Sequence, residues 1–277
     1  MIQLLLAFDL DGTLVRDNAS LSEKMIEKLH AYYAKQYVLL FVTGRTRVWA
    51  EKLLAPLDCP FVLAPYNGAT LISYPAKEVV RSAFLQVKDC GILQPWVDKF
   101  GVLVYSAEGD IFYTPSLFST QMAAHIERRR SLQQESWKKI ESLSQLEDTS
   151  IASIRFMLLP EQAEHVSSEI ECSSMLRAPT MIDAFDDAYR VVQVTAFEAS
   201  KGQALAAMLK EYPTYVTVGA GNDMNDMDLI RKADFGIAMA DAPLALREMS
   251  YRICPVSEMA LFDCIACIEK QIEEQEW

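Results

Sequence analysis

The stretch FDLDGTLV, residues 8 to 15, follows the apolar run LLLA and delivers two carboxylates, Asp9 and Asp11, directly before a glycine. A short, continuously apolar run of this kind is typical of a buried parallel strand. Because side chains alternate along a strand, Asp9 and Asp11 share one face while Leu10 points to the other. Two like charges this close are unfavourable unless a cation or a proton is shared between them. The stretch therefore predicts a buried strand whose end holds a divalent cation.

The residues on either side of this strand alternate between helix-like and strand-like patterns. Ser20 and, three residues later, Glu23 predict a helix start with a capping box. The apolar run YVLLFV (37–42) predicts a second buried strand, and TGRTRVWAEKLL (43–54) a second helix. FVLAPYNGATLIS (61–73) predicts a hairpin that turns at Asn67-Gly68. This order is typical of a sheet covered by helices on both faces.

The alternation stops near residue 84 and resumes at Ser200. Between them lie a hairpin signal at Gly109, polar helical patterns across 116–146 and further short strands, which together predict an α+β insert. After Ser200 the pattern again predicts a helix, two strands and a final helix. We therefore expect one α/β domain built from residues 1–82 and 190–277, interrupted by a second domain of residues 83–189.

Composition excludes several classes of protein. An apolar content of 51% is that of a globular chain, and a net charge of −12 argues against a nucleic-acid interface. The basic run of Arg128–Arg130 with Lys138 and Lys139 is interpreted as a solvated helix face. The N-terminal apolar run is too short to span a membrane, and six scattered cysteines show no disulfide framework. A cytoplasmic protein is expected; the oligomeric state is not indicated.

The three histidines, at positions 30, 125 and 165, stand in polar helical patterns without partner motifs. They are expected at the surface, and catalysis by a histidine-based triad finds no support.

Polar residues cluster where the predicted strands end. In a doubly wound sheet, ligands bind beyond the carboxyl ends of the parallel strands. Carboxylates, a hydroxyl, an ammonium group and glycine-turn amides would meet there, which suits a phosphoryl group with magnesium. The segments that supply them are Asp9–Thr13, Thr43–Arg45, Lys201 and Gly221–Asp226.

These segments resemble the four motifs of the haloacid dehalogenase superfamily, in its Cof-type phosphatase branch. The motifs are FDLDGTLV, FVTGR, SKG (200–202) and GNDMNDMDLI (221–230), in that order; NGA (67–69) and GIAMADAP (236–243) are also similar. The resemblance covers the whole chain, including an insert of suitable size between the second and third motifs. It implies a Rossmann-like parallel-sheet core with an inserted α+β cap of the C2 type, which would select the substrate.

The resemblance also implies roles for individual residues. Asp9 would be the nucleophile that forms an aspartyl-phosphate, and Asp11 would protonate the leaving oxygen and then deprotonate water. The phosphate and substrate would be bound by Leu10, Thr43, Gly44, Arg45, Lys201 and Asn225. Magnesium would be held by Asp9, Asp11, Asn222, Asp223 and Asp226. Arg45 would touch the substrate or pair with a motif acid, and Asn67 would face the cleft or only supply the turn.

One position departs from the family pattern. Asn222 stands where the principal aspartate of the fourth motif is usual. An amide oxygen can bind magnesium but brings no charge, so weaker binding is expected; Asp223 is an alternative ligand if the loop shifts.

The expected function is a magnesium-dependent phosphomonoester hydrolase that acts on small phosphate esters, with sugar phosphates or a related cofactor precursor as the expected substrates. Two alternatives stay open at this point. A phosphosugar mutase would pass the phosphoryl group to a sugar hydroxyl, and a non-catalytic protein, suggested by Asn222, would only bind a phosphorylated metabolite.

Overall fold

The computed structural model describes residues 2–16, 20–114, 120–133, 137–183 and 186–274. Its contacts divide the chain into two compact units. The first unit comprises Met1–Ser82 and Ser200–Trp277, and the second comprises Ala83–Ala199.

The elements alternate in the first unit and are mixed in the second. The first segment contains β1 (Leu4–Asp9), α1 (Glu23–Ala34), β2 (Val38–Val42), α2 (Arg47–Leu54), β3 (Phe61–Ala64), β4 (Thr70–Tyr74) and β5 (Glu78–Ser82). The second unit contains α3 (Val87–Phe100), β6 (Leu103–Ser106), β7 (Ile111–Tyr113), α4 (Thr120–Gln133), β8 (Trp137–Lys139), β9 (Ile151–Leu158), α5 (Pro160–Ser173), β10 (Leu176–Arg177), β11 (Thr180–Ile182) and β12 (Arg190–Ala196). The last segment contains α6 (Lys201–Glu211), β13 (Val216–Gly221), α7 (Met227–Lys232), β14 (Phe235–Met239), α8 (Leu244–Met249), β15 (Arg252–Cys254) and α9 (Ala260–Glu274).

The first unit is built on an eight-stranded sheet in the order β15-β14-β13-β1-β2-β3-β4-β5. Strands from β15 to β3 are parallel, and β4 and β5 add an antiparallel edge. Leu4, Leu6 and Phe8 of β1 pack in one apolar cluster with residues of α1, α2 and α9. Leu5 and Ala7 pack in another with residues of α6 and α7. Burial on both faces explains the unbroken apolar run of β1, since each buried leucine contributes about 1.5–3 kcal/mol.

The helix α1 begins at a different cap from the one expected. Its N-cap is Ser22, whose side chain accepts a hydrogen bond from the Met25 amide, so the expectation of a cap at Ser20 was wrong. The other short-range signals are confirmed: β3 and β4 form the hairpin around Asn67, and Ser200 caps α6.

The second unit contains a mixed sheet in the order β10-β12-β9-β6-β7-β8, with β11 also paired to β12. All neighbours are antiparallel except β7 and β8. Helices α3 and α5 pack on one face of this sheet and form its apolar core. The expected fold class, a parallel α/β core with an inserted α+β domain, is confirmed.

The second unit ends ten residues later than the sequence suggested. Strand β12 was expected in the core domain, yet it pairs antiparallel with β9 from Arg190↔Leu158 to Val194↔Ile154. Because these backbone hydrogen bonds join β12 to the inserted sheet, the boundary lies after Ala199 rather than at residue 190.

Two further expectations for the insert were wrong. Lys138 and Lys139 lie on strand β8, not on a helix face, and the helix in this region spans only Thr120–Gln133; residues 116–119 and 134–136 lie outside the described part. His125 is buried rather than at the surface. Its Nε2 lies 3.6 Å from Asp183 Oδ2, and its ring packs against Tyr189.

None of the helices in the described ranges has the length and apolar character needed to cross a membrane.

Candidate active site

The residues expected in the site meet at the carboxyl ends of three neighbouring strands of the first unit. Asp9 is the last residue of β1, Thr43 follows β2, and Asn222 follows β13. Strand β1 pairs with β2 on one side and with β13 on the other. Sheet order therefore brings together residues that are more than two hundred positions apart in the chain.

At the centre is a buried cluster of one ammonium group and two carboxylates. Lys201 Nζ lies 2.6 Å from Asp9 Oδ1 and 2.6 Å from Asp226 Oδ1. All three side chains are at most 5% exposed. Lys201 is the first residue of α6, directly after its Ser200 cap, so the start of this helix fixes the ammonium group opposite the end of β1.

Burial and neighbouring charges shift the pKa values of this cluster. Burial raises the pKa of Asp9 to about 8, reinforced by the Asp226 carboxylate and opposed by Lys201. Burial alone would lower the pKa of Lys201, but Asp226 and Asp9 outweigh it and raise the pKa. When Asp9 is ionised, two carboxylates share one ammonium group, and the cluster then carries excess negative charge that a divalent cation would neutralise.

Asp11 lies beyond the end of β1 and is held by Arg45. Arg45 Nε donates to Asp11 Oδ2 at 2.8 Å, and its Nη2 lies 2.7 Å from Asp11 Oδ1. The guanidinium group also stacks 3.6 Å from the ring centre of Trp49. Arg45 was expected either to touch the substrate or to pair with a motif acid, and in the structure it pairs with Asp11. Planar, two-point contacts of this kind fix the orientation of a carboxylate.

Thr13 belongs to the predicted segment Asp9–Thr13, but the sequence interpretation gave it no role of its own. It is buried, and its hydroxyl donates to Asp9 Oδ2 at 3.0 Å. Lys201 and Thr13 therefore hold different oxygens of the same carboxylate. The signal was present, because Thr13 completes the string DGT, but a hydroxyl in a turn also has an ordinary structural explanation.

The loop after β13 is organised by Asp226. Its Oδ2 accepts hydrogen bonds from the backbone amides of Asn222 (2.9 Å) and Asp223 (3.0 Å). The Asp223 carboxylate accepts from the Met224 amide, and burial raises the pKa of Asp223. Asn225 Nδ2 donates to Asn67 Oδ1 at 3.1 Å. Because Asp226 Oδ1 contacts Lys201 and Oδ2 accepts from these two amides, both oxygens of Asp226 are engaged by groups of the protein itself.

The turn after β3 brings a further buried side chain to this edge. Asn67 has φ 55°, in the left-handed region that asparagine tolerates well. Its backbone amide donates to the Thr43 carbonyl oxygen at 2.8 Å. Among the described residues, its buried Nδ2 has no hydrogen-bond partner. Thr43 itself is fully buried, and its hydroxyl accepts from the Arg45 amide at 3.1 Å.

The oxygens around Asn222 fit a magnesium ion in type and spacing. One terminal atom of the Asn222 amide lies 3.0 Å from Asp9 Oδ2 and 2.7 Å from the Asp11 carbonyl oxygen. Neighbouring oxygens in an octahedral magnesium shell, with bonds of about 2.1 Å, are about 3.0 Å apart. In the described ranges, no three acidic, histidine or cysteine side chains form a metal cluster. A magnesium site here would thus rely on one carboxylate, one carbonyl and one amide oxygen.

Comparison with known proteins gives a consistent result across the chain. The family model described as haloacid dehalogenase-like hydrolase matches residues 6–259. A putative phosphatase of Bacillus subtilis, YxeH, is 26% identical over 254 residues, which cover 86% of this chain and 87% of that protein. An HMP-PP phosphatase of Enterobacter is 23% identical over 251 residues, covering 89% and 88%.

Solved structures share the fold. The sugar phosphatase BT4131, described as subclass IIB of the same superfamily, superposes with a TM-score of 0.74 at 16% identity, covering 97% of this chain and 99% of that one.

Proposed function

The chain belongs to the haloacid dehalogenase-like hydrolase family, and from that premise we propose that it is a magnesium-dependent phosphomonoester hydrolase that works through an aspartyl-phosphate. Family membership and the phosphatase names of its relatives make it an enzyme of the phosphatase type that acts on small phosphate esters. The observation that carries the mechanistic proposal is the buried Lys201 between Asp9 and Asp226, with Asp11 held beside it by Arg45.

In the first step, a carboxylate oxygen of Asp9 would attack phosphorus, and the bond from phosphorus to the ester oxygen would break. Asp11 would give its proton to that leaving oxygen, so the alcohol departs neutral. Lys201 and Thr13 keep the Asp9 carboxylate in one orientation before the attack. A fixed nucleophile lowers the entropic part of the barrier.

In the second step, water would attack the phosphorus of the aspartyl-phosphate. Asp11, now a carboxylate, would take a proton from that water, and the bond between phosphorus and Asp9 would break to release inorganic phosphate. Arg45 contacts both oxygens of Asp11, so one contact would open for each proton transfer while the other keeps Asp11 in place. Thr43, Lys201, Asn225 and the backbone amides near Leu10 and Gly44 are proposed to bind the phosphate oxygens.

Bound magnesium would offset the negative charge of the phosphate and of Asp9. Asp9, the Asp11 carbonyl group and Asn222 are proposed as its principal ligands. The carboxylates of Asp226 and Asp223 accept hydrogen bonds from backbone amides of their own loop, so we propose that they shape the metal site and complete it only through further rearrangement or water.

For the substrate, we propose a sugar phosphate, with selection by the inserted unit. One face of its sheet is buried yet polar: the amide of Gln193 and the hydroxyl of Ser153 are 0% exposed and have no hydrogen-bond partner within the described residues. Neutral groups that both donate and accept hydrogen bonds suit the hydroxyls of a sugar. The relative named HMP-PP phosphatase makes HMP-PP the comparison to test.

Asn222 favours a second candidate, a phosphometabolite-binding protein without turnover. The two candidates differ in one measurement, phosphate release from a panel of sugar phosphates and a chromogenic phosphate ester, with magnesium and with chelator. Asp9→Asn is the test variant, and Asp263→Asn, at an exposed position on α9, is the matched control. Release that needs magnesium and Asp9 but not Asp263 supports the hydrolase, whereas saturable ligand binding without release supports the binding protein.

We place the protein in the cytoplasm. This proposal is supported by its six cysteines, all within the described ranges and none in a disulfide.

A further inference from the structure

The side chain of Asn222 is confined on two sides. Its backbone amide is tied to Asp226 Oδ2 at 2.9 Å. Its amide group also lies against Gly12, where an added Cβ would be 2.1 Å from one terminal atom and 2.6 Å from Cγ. Gly12 has φ 78°, a conformation that favours glycine. The position of the amide group is therefore fixed. What can still change is which of its two terminal atoms, nitrogen or oxygen, points inward, towards Asp9 and the Asp11 carbonyl oxygen.

The inward position is surrounded by hydrogen-bond acceptors. It lies 3.0 Å from Asp9 Oδ2 and 2.7 Å from the Asp11 carbonyl oxygen. The Thr13 hydroxyl is also 3.3 Å from this position, but it gives its one hydrogen to Asp9 Oδ2. With Asp9 ionised and no cation between these groups, the amide nitrogen makes the more favourable contacts there, because two oxygens at this separation repel. The Asn222 amide then donates one hydrogen to each of the two acceptors.

The same position suits the amide oxygen when a cation is bound. Magnesium would draw in the oxygens of Asp9 and Asp11, and an N–H group pointing at it would be repelled. The amide nitrogen and oxygen are close in size, and the torsion that exchanges them is soft. A half-turn of the amide therefore requires no backbone movement.

On these grounds we propose that the Asn222 amide is a magnesium-dependent switch, which turns its nitrogen inward without the cation and its oxygen inward with it. The proposal rests on the magnesium site of the proposed function. An aspartate at this position would bring a negative charge and so bind magnesium more tightly. It has no N–H to donate, so it would leave the metal-free site short of two hydrogen bonds. Asparagine thus lowers magnesium affinity and stabilises the metal-free protein.

The direct test is side-chain amide NMR of the ¹⁵N-labelled, metal-free protein during titration with magnesium chloride. Asn222 is identified as the amide pair that disappears in Asn222→Asp. The expected result is that its two hydrogens exchange slowly with solvent before titration, and that its signals shift and exchange faster at saturation. Asn222 signals that do not change at saturating magnesium, or a titration that shows no magnesium binding, would overturn the switch.

The second test compares Asn222→Asp with Asn225→Asp, which adds the same charge three residues away in the same loop. By calorimetry, Asn222→Asp is expected to bind magnesium about ten-fold more tightly or better, because affinity rises with the number of charged ligands. Its melting temperature in chelator is expected to be lower than that of the parent, and Asn225→Asp is expected to change magnesium affinity less. Equal affinity gains in both variants, or an unchanged melting temperature for Asn222→Asp in chelator, would contradict the proposal.

These measurements do not depend on turnover. If magnesium turns the amide but no phosphate is released from any substrate, the proposed function fails and the switch stands. If phosphate release needs magnesium while the Asn222 signals are unaffected, the switch fails and the proposed function stands.

Discussion

The ammonium nitrogen of Lys201 lies 2.6 Å from Asp9 Oδ1, with both side chains buried. The two residues are 192 positions apart, at the start of α6 and the end of β1. The contact joins the two chain segments of the first unit at the point where we place the chemistry. Its loss should therefore affect both folding and catalysis.

Lys201→Met should lower phosphate release by about 10²–10³-fold, because the variant loses a fixed positive charge at the reacting phosphate. It should also destabilise the fold by about 3–5 kcal/mol, since two buried carboxylates lose their partner. Activity assays and urea unfolding measure the two effects. Lys210→Met, at an exposed position on the same helix, is the control; equal losses in both variants would refute the role of Lys201.

Arg45→Lys should reduce kcat more than it raises KM. Lysine keeps the charge but cannot make the two-point contact that orients Asp11. Steady-state kinetics would separate this result from a substrate-binding role, in which KM would change most. Arg47→Lys, which alters a pair with Glu51 on α2, is the matched control.

Gly12→Ala should impair the site although it changes no charge. The new Cβ would meet the Asn222 amide, and alanine is strained at φ 78°. We expect weaker magnesium binding together with lower activity. Gly91→Ala on α3 is the control, because its Cβ would meet nothing within 4 Å; that variant should gain about 0.5–1 kcal/mol from helix propensity. A Gly12→Ala variant with parental magnesium affinity would contradict the proposed packing.

The metal-free protein should lose stability as pH rises. The pKa of Asp9 is raised from 3.8 to about 8, so the folded state holds a proton that the unfolded state releases. The contribution of Asp9 is therefore fully present below pH 3.8 and is lost as pH rises towards 8. In chelator, the melting temperature of the parent should fall more between pH 5 and pH 8 than that of Asp9→Asn. Parallel profiles for the two proteins would disprove the shift.

The sequence predicts the core sheet well because its strands are buried on both faces. An unbroken apolar run such as LLLA can be read locally, and so can the acidic end of β1 and the glycine-rich end of β13. The domain boundary could not be read in this way. The valines of strand β12 would suit a strand of either sheet, and only its pairing with β9 assigns it to the insert. The buried position of His125 likewise depends on Asp183 and Tyr189, which are distant in sequence.

The structure brings the expected residues together, but several of their contacts were not predicted. The motifs name Asp9, Asp11 and Lys201 by type and spacing, but they do not determine that Arg45 pairs with Asp11. The contact between Thr13 and Asp9 and that between Asn225 and Asn67 were not foreseen. Each depends on how a turn orients a side chain, and several orientations are compatible with the same motif.

The measurement that tests the central claim most directly is mass spectrometry of the enzyme quenched in acid during turnover of a phosphate ester with magnesium. Peptic digestion at acid pH preserves an acyl phosphate long enough to locate it. The account predicts one phosphoryl group on the peptide that contains Asp9, absent from Asp9→Asn. A phosphoryl group on another residue, or undiminished phosphate release by Asp9→Asn, would contradict it.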